Sequence, residues 1–150
     1  LNVELLQQED LDKEKDMIDY PKAMEPYDFM IVLSEESAKE VKKGHLKKGE
    51  NTGYLIWDPS TIKRFRTAKR VKSLSIPVQK IAHEQFGNIV YGNAILFGAF
   101  TVISGIFSEE SAIETLKNFV PEKTIDTNLE AFELGKREAK EFLKKLEEED

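Results

Sequence analysis

The sequence predicts a single α/β domain in which helices cover both faces of a mainly parallel sheet, a three-layer α/β/α arrangement. Three observations support this class. The chain of 150 residues has the size of one domain. Two short apolar runs, at 28–34 and 53–58, have the length of buried strands, and the spacing of Val71, Leu74 and Ile76 indicates a third strand. Helical patterns alternate with these runs, which is typical of a parallel sheet.

The first apolar run, DFMIVLS at 28–34, predicts a strand buried on both of its faces. Ser34 then predicts a helix N-cap, because Glu35 and Glu36 follow it in the first turn, where carboxylates favour the helix dipole. The helix is predicted to run to about Lys43, with Gly44 as its stop. Upstream, residues 1–19 predict a short strand followed by an acidic loop.

The middle of the chain predicts two more strands and a short helix. GYLIWD at 53–58 predicts the second buried strand, and Asp58-Pro59-Ser60 after it has the composition of a turn. Val71, Leu74 and Ile76 indicate the third strand. VQKIAHEQFG predicts a short amphipathic helix that ends at Gly87.

The C-terminal third predicts three helices. Gly92 to Ser104 is an uncharged helix that is apolar almost all round, and Ser108 caps the next one. Thr127 and Glu130 form a capping-box pattern, which predicts a last helix over 128–148. The apolar face predicted for the helix after Ser108 is formed by Ala112, Ile113, Leu116, Phe119 and Val120.

Three structural roles can be considered for the uncharged stretch around Gly92–Ser104, and one of them is favoured. Asn, Gly, Thr and Ser lower the hydrophobicity of the stretch and no basic residues flank it, so it does not fit a membrane span. Its glycines at 92, 98 and 105 do not have the spacing of a phosphate-binding loop. Small residues at Gly92, Gly98 and Ala99 let another backbone approach closely, so the stretch predicts a helix buried on the sheet and against a partner chain.

Composition narrows the classes of function. The formal net charge is −6, which argues against binding nucleic acid through bulk charge. No cysteine is present, so this chain has no thiolate ligands for zinc or iron–sulfur clusters. The absence of a signal-peptide pattern at the start predicts a cytoplasmic location. Leu1 in place of Met predicts that the domain is N-terminally incomplete.

The side chains suggest no active site. His45 and His83 lack a nucleophile context and are too few for a metal site. Asp58 follows a strand, where α/β sheets often bind ligands, but turn formation is the favoured interpretation. The basic stretch 63–72, which includes Phe65, predicts a solvated face, with an acidic partner or an anionic cofactor tail as the next alternative. We therefore predict no catalytic residue and no metal ligand.

The second half contains five pieces in order: the Asn-led helix Asn93–Ala99, the break Gly105–Ser108, the helix Ser111–Val120, the turn Pro121-Glu122-Lys123, and Asn128–Gly135. In this pattern the chain resembles the gamma subunits of 2-oxoacid:ferredoxin oxidoreductases, and the resemblance extends over roughly residues 18–140. One departure is the missing glycine-rich GxGGQG turn with which the family opens. Phe97 also stands where the family commonly has Leu.

The resemblance implies a gamma subunit that bears no cluster, in a complex that oxidatively decarboxylates a 2-oxo acid, of the 2-oxoglutarate or pyruvate class, to an acyl-CoA. Thiamine diphosphate, magnesium and [4Fe–4S] clusters would be held by alpha-, beta- and delta-type partner subunits, with coenzyme A as co-substrate and ferredoxin as electron acceptor. The isolated chain would be inactive, and no membrane or nucleic-acid partner is expected. The residues predicted to form the subunit interface are Asn93, Phe97, Gly98 and Phe100.

Two alternatives stay open from the sequence. The chain is compatible with an independent α/β ligand-binding or regulatory module. A weaker alternative is a nucleic-acid-associated protein that uses residues 63–72.

Overall fold

A computed structural model describes residues 28–41, 53–66 and 71–149. The predicted strand within residues 1–19, the predicted helix stop at Gly44 and His45 lie outside the described residues. The strands are β1 (Phe29–Val32), β2 (Tyr54–Trp57) and β3 (Lys72–Ser75). The helices are α1 (Glu35–Glu40), α2 (Val78–Phe86), α3 (Gly92–Ser104), α4 (Glu109–Phe119) and α5 (Ile125–Glu149), with 3₁₀ turns at Ile89–Tyr91 and Glu122–Thr124.

The three strands form a parallel sheet in the order β1-β2-β3. Consecutive side chains of a strand point to opposite faces, and both Leu55 and Ile56 of the central strand are buried. Leu55 belongs to a cluster with Val32 beneath α1, whereas Ile56 belongs to the main core beneath α3 and α5. Helices therefore cover both faces, which confirms the predicted three-layer α/β/α class.

The prediction that β1 is buried on both faces is wrong. Val32 is the buried residue of this strand, and Ile31 is 42% exposed. The reason is position, because β1 lies at one edge of the sheet that the described residues form. The helix after it is also shorter than predicted: Ser34 caps it as expected, but Val41 is already extended, so α1 ends at Glu40.

The helix boundaries in the second half follow the sequence closely, with one exception. Gly87 ends α2 with a positive φ of 77°, and Ser108 caps α4 through a hydrogen bond from the Ser111 amide. The predicted capping box is wrong, because α5 begins at Ile125 and Thr127 lies inside its first turn. The 3₁₀ turn before α5 leads directly into the helix, so no separate cap is needed at Thr127.

Candidate subunit interface

Helix α3 divides into an inner face that packs inside the chain and an outer face that is only partly covered. Ile95 and Ala99 on the inner face are completely buried. The opposing surface is α5, whose Phe132 and Ala139 are equally buried. The pairing of α3 with α5 is the most extensive contact between elements in the described residues.

Two glycines let the backbones of α3 and α5 meet directly. A Cβ atom at Gly98 would collide with the Phe132 carbonyl group, approaching its carbon to 2.9 Å. A Cβ atom at Gly135 would approach the Ile95 carbonyl carbon to 2.8 Å. The close approach that the sequence predicted for Gly98 therefore occurs, but with α5 of the same chain. Gly98 therefore packs against α5, and the interface proposed below is placed on the outer face.

The other three predicted interface residues lie on the outer face. Asn93 is exposed, and Phe97 and Phe100 are half-buried. Their spacing of four and three residues places them along one stripe of the helix. We call Asn93, Phe97 and Phe100 the outer stripe.

The outer stripe continues into a loop that the sequence analysis did not assign to the interface. Gly105 ends α3 with φ of 61°, and the chain then turns to present Ile106 and Phe107, which are 47% and 43% exposed. The Phe107 ring lies 6.3 Å from both the Phe97 and the Phe100 ring, measured between centroids. The signal available in the sequence was two large apolar residues directly after a helix-ending glycine.

A pocket of about 450 Å³ opens beside the outer stripe, between the start of α3 and the end of α4. Asn93 and Phe97 line it, so the pocket and the stripe share a border. Its rim carries Val90, 59% exposed, and Phe119, 84% exposed. Phe119 was predicted on the apolar face of α4 together with Ala112 and Leu116, which are buried; the structure turns Phe119 outward instead.

One polar side chain at the pocket is buried and makes hydrogen bonds to the described residues through its nitrogen alone. Asn128 of α5 is 7% exposed. Its amide nitrogen donates hydrogen bonds to the Thr124 carbonyl oxygen at 3.0 Å and to the Thr124 hydroxyl at 3.1 Å. Within the described ranges, no donor contacts the Asn128 side-chain oxygen. A buried amide with an unused acceptor is a place where an occupant can add a hydrogen bond.

An ion-pair cluster fixes the start of α4 to the middle of α5. The Lys136 ammonium group, with the residue 5% exposed, contacts the carboxylate of Glu109 and lies 3.2 Å from that of Glu133. Burial acts to lower the pKa of Lys136, but the hydrogen bonds to Glu109 and Glu133 outweigh it and the pKa is raised. The hydrogen bond from Lys136 and its positive charge lower the pKa of Glu109. Helix α4, which forms one wall of the pocket, is thereby held to α5.

Asp58 performs a structural role at the end of β2. It is 1% exposed, and its carboxylate accepts hydrogen bonds from the Ser60 amide at 2.8 Å and from the Gln79 amide at 3.0 Å. The first bond forms the predicted turn. The second caps the first turn of α2, whose own N-cap residue, Pro77, contributes no side-chain hydrogen bond. This carboxylate is therefore committed to the fold.

The other residues considered in the sequence, His83 and Phe65, do not form part of a catalytic or metal-binding group among the described residues. His83 is exposed on α2. Phe65 packs on Trp57 with ring centroids 5.5 Å apart, so its ring serves the small cluster under the sheet. In the part of the chain that the structure describes, no three His, Cys, Asp or Glu side chains are grouped as metal ligands. No helix in those ranges combines the length and apolar character that a bilayer crossing requires.

Comparison with known proteins places this architecture in a family. The family model for pyruvate ferredoxin/flavodoxin oxidoreductase matches residues 15–138. The 2-oxoglutarate synthase subunit KorC of Methanothermobacter thermautotrophicus is 36% identical over 124 residues, which cover 79% of this chain and 63% of that protein. The chain therefore belongs to the pyruvate ferredoxin/flavodoxin oxidoreductase family.

Two further matches agree with this membership. The indolepyruvate oxidoreductase subunit IorB of Thermococcus kodakarensis is 45% identical over 73 residues, covering 48% of this chain and 36% of that protein. The crystal structure of the gamma subunit of a keto/oxoacid ferredoxin oxidoreductase from Geobacter sulfurreducens superposes with a TM-score of 0.66 at 22% identity, covering 75% of this chain and 63% of that one. This structure supports the fold. The chain spans less than two thirds of the length of these relatives.

Proposed function

We propose that this chain is a gamma-type, non-catalytic subunit of a 2-oxoacid:ferredoxin oxidoreductase complex. Family membership and the similarity to KorC and IorB support this proposal over an independent ligand-binding module. The chain has no cysteine with which to hold an iron–sulfur cluster. Thiamine diphosphate, magnesium and the clusters are proposed to lie in alpha-, beta- and delta-type subunits, and the complex to act in the cytoplasm with coenzyme A and ferredoxin.

For the substrate, we propose the 2-oxoglutarate class, with pyruvate as the second possibility. The similarity to KorC covers 79% of the chain, whereas the similarity to IorB covers 48%. The wider match is the reason for preferring 2-oxoglutarate over indolepyruvate.

The observation that carries the proposed role is the outer stripe together with Phe107. Half-buried aromatic rings at Phe97 and Phe100 support a Phe107 ring that is 43% exposed, next to Ile106 at 47%. Permanent subunit interfaces are more apolar than the rest of a protein surface, and aromatic residues are enriched in them. A covered stripe would remove these apolar side chains from water.

The experiment is reconstitution of the complex from the full-length chain and its alpha-, beta- and delta-type partners. Phe107→Asp places a charge in the proposed interface, and we expect the chain to leave the complex, with loss of 2-oxoglutarate-dependent ferredoxin reduction. Gln85→Asp is the control, because it makes the same charge change at an exposed site on α2. Native mass spectrometry measures the composition. A Phe107→Asp complex of unchanged mass and activity contradicts the proposed interface.

A further inference from the structure

We propose that the pocket beside the outer stripe receives a tyrosine or tryptophan side chain from a partner subunit, whose O–H or N–H group donates a hydrogen bond to the Asn128 side-chain oxygen. The inference rests on the proposed function and adds the chemistry of the partner residue. It starts from two independent features, the exposed apolar rim and the unused buried acceptor.

The Asn128 acceptor defines which hydrogen-bonding group the occupant must carry. Both observed hydrogen bonds of Asn128 use its amide nitrogen, and the receiving Thr124 hydroxyl in turn donates to the Pro121 carbonyl oxygen at 2.8 Å. This arrangement fixes the orientation of the amide, so its oxygen is the group left for an occupant. An occupant must therefore bring a donor, and a phenylalanine or leucine would leave the oxygen unpaired.

The rest of the lining defines an apolar, ring-sized body. Phe97, Leu116 and Val120 contribute apolar walls, and Ala94 leaves space between them. Tyrosine and tryptophan combine an apolar ring with one polar group at its edge. They are also the residues most enriched among energetically dominant interface anchors.

The rim identifies the source as a polypeptide. A free small molecule inside the pocket would leave Phe119, which is 84% exposed, and Val90 in contact with water. A chain segment that inserts one side chain also covers the rim on either side. The pocket shares Asn93 and Phe97 with the outer stripe, so one partner surface can contact both regions.

A photo-cross-linker identifies the occupant. Phe119 is replaced by p-benzoylphenylalanine in the complete chain, which is then assembled with the alpha-, beta- and delta-type subunits and irradiated. We expect one adduct with an oxidoreductase subunit, in a peptide that contains Tyr or Trp. The same probe at exposed Gln85 on α2 is the control and should not give this adduct. An adduct with a second copy of this chain, with a peptide lacking Tyr and Trp, or with no protein contradicts the inference.

A pocket-filling variant tests the energetic contribution. Thr115 is exposed on α4 and lines the pocket, so Thr115→Trp fills the space from outside without disturbing the core. We expect the Kd of the complex to rise at least about 10-fold, because truncating or displacing an anchor residue costs more than 1.4 kcal/mol. Lys117→Trp, exposed on α4 outside the pocket lining, should leave the Kd within about 2-fold.

The hydrogen bond is tested on the partner side. Replacing the cross-linked Tyr or Trp by Phe should raise the Kd roughly 3- to 10-fold. An unchanged Kd means that water satisfies Asn128 and overturns the assigned chemistry. If Phe107→Asp dissociates the complex while Thr115→Trp does not, the pocket inference is wrong and the proposed function stands. If neither variant weakens the complex, both are wrong.

Discussion

The two faces of α3 differ in what they pack against. The inner face, with Gly98 and Ala99, meets the backbone of α5 so closely that a single Cβ atom does not fit at Gly98. The outer face, with Phe97 and Phe100, has large rings that α5 and the sheet cover only in part. Glycine therefore marks the point where α3 meets the backbone of α5, and the partly covered rings mark the surface proposed for another chain.

This difference concerns the reason for which an interface was predicted from the sequence. The prediction took small residues at Gly92, Gly98 and Ala99 as a sign of close approach by a partner. Small residues allow close contact with any neighbouring helix, whether it belongs to the same chain or to a partner. Here the neighbour is α5, in which Gly135 allows the same close approach from the other side. The other predicted interface residues include Phe97 and Phe100, whose aromatic rings are only partly buried within this chain.

The largest effect is expected from Gly98→Leu on the inner face. The new side chain would collide with the Phe132 backbone, which cannot move without displacing α5. We expect a loss of about 3 kcal/mol or more in the free energy of unfolding of the isolated chain, measured by urea denaturation. Asn93→Leu, at an exposed site of the same helix, should change it by less than about 1 kcal/mol. Equal stabilities of the two variants would remove the distinction between the faces.

A sharper test uses the smallest change at the same position. Gly98→Ala improves helix propensity by about 1 kcal/mol at an unconstrained site. At Gly98 the added Cβ would lie too close to the Phe132 carbonyl, so we expect a net destabilisation of about 1–2 kcal/mol. Thermal unfolding followed by circular dichroism measures the sign. A stabilised Gly98→Ala variant would show that α3 and α5 can separate without cost.

On the outer face, Phe107→Ser should separate folding from assembly. The ring is 43% exposed and rests on two half-buried rings, so we expect its removal to lower the free energy of unfolding by only about 1 kcal/mol. The same variant should weaken assembly with the partner subunits, measured by mass photometry. A large loss of stability in the isolated chain would assign Phe107 to the core instead.

The smallest effect concerns the ion pair that holds α4, and with it the pocket wall, to α5. The pKa of Glu109 is lowered in the folded chain, so its contribution to stability is present above its unfolded pKa of about 4.3 and is lost as the pH falls through the folded value. Glu109→Gln should therefore be less stable than wild type at pH 6, and the difference should shrink below pH 4. Urea midpoints across this pH range measure the effect.

Glu110→Gln is the matched control for that measurement, because Glu110 is the exposed neighbour of Glu109. Its difference from wild type should not follow the Glu109→Gln profile. The raised pKa of Lys136 gives the opposite pH dependence. Its contribution to stability is present below the unfolded pKa of about 10.4 and is lost as the pH rises through the folded value. A pH-independent difference for Glu109→Gln would show that its contact with Lys136 is not formed in solution.

Only part of the candidate site could be predicted from the sequence. Asn93, Phe97 and Phe100 share one stripe of α3, because helical spacing alone fixes which residues share a face, and their place at a subunit interface stays a prediction. Phe119 was not readable as a rim residue, since the turn after α4 decides which way the end of that helix faces. The proposed role of Asn128 depends on α4 and α5 meeting beside α3, which brings Asn93 and Asn128, 35 positions apart in the sequence, to the same pocket.

The sequence by itself determined the three-layer class and most helix boundaries, because strand length, caps such as Ser108 and stops such as Gly87 act through neighbouring residues. The tertiary structure alone decided that Gly98 meets α5, that β1 lies at an edge of the sheet formed by the described residues, and that Phe107 remains exposed. These outcomes depend on which distant segments pack together. An apolar side chain is stabilised by leaving water, so the sequence predicts that it is buried. Only the arrangement of the whole chain determines which surface covers it.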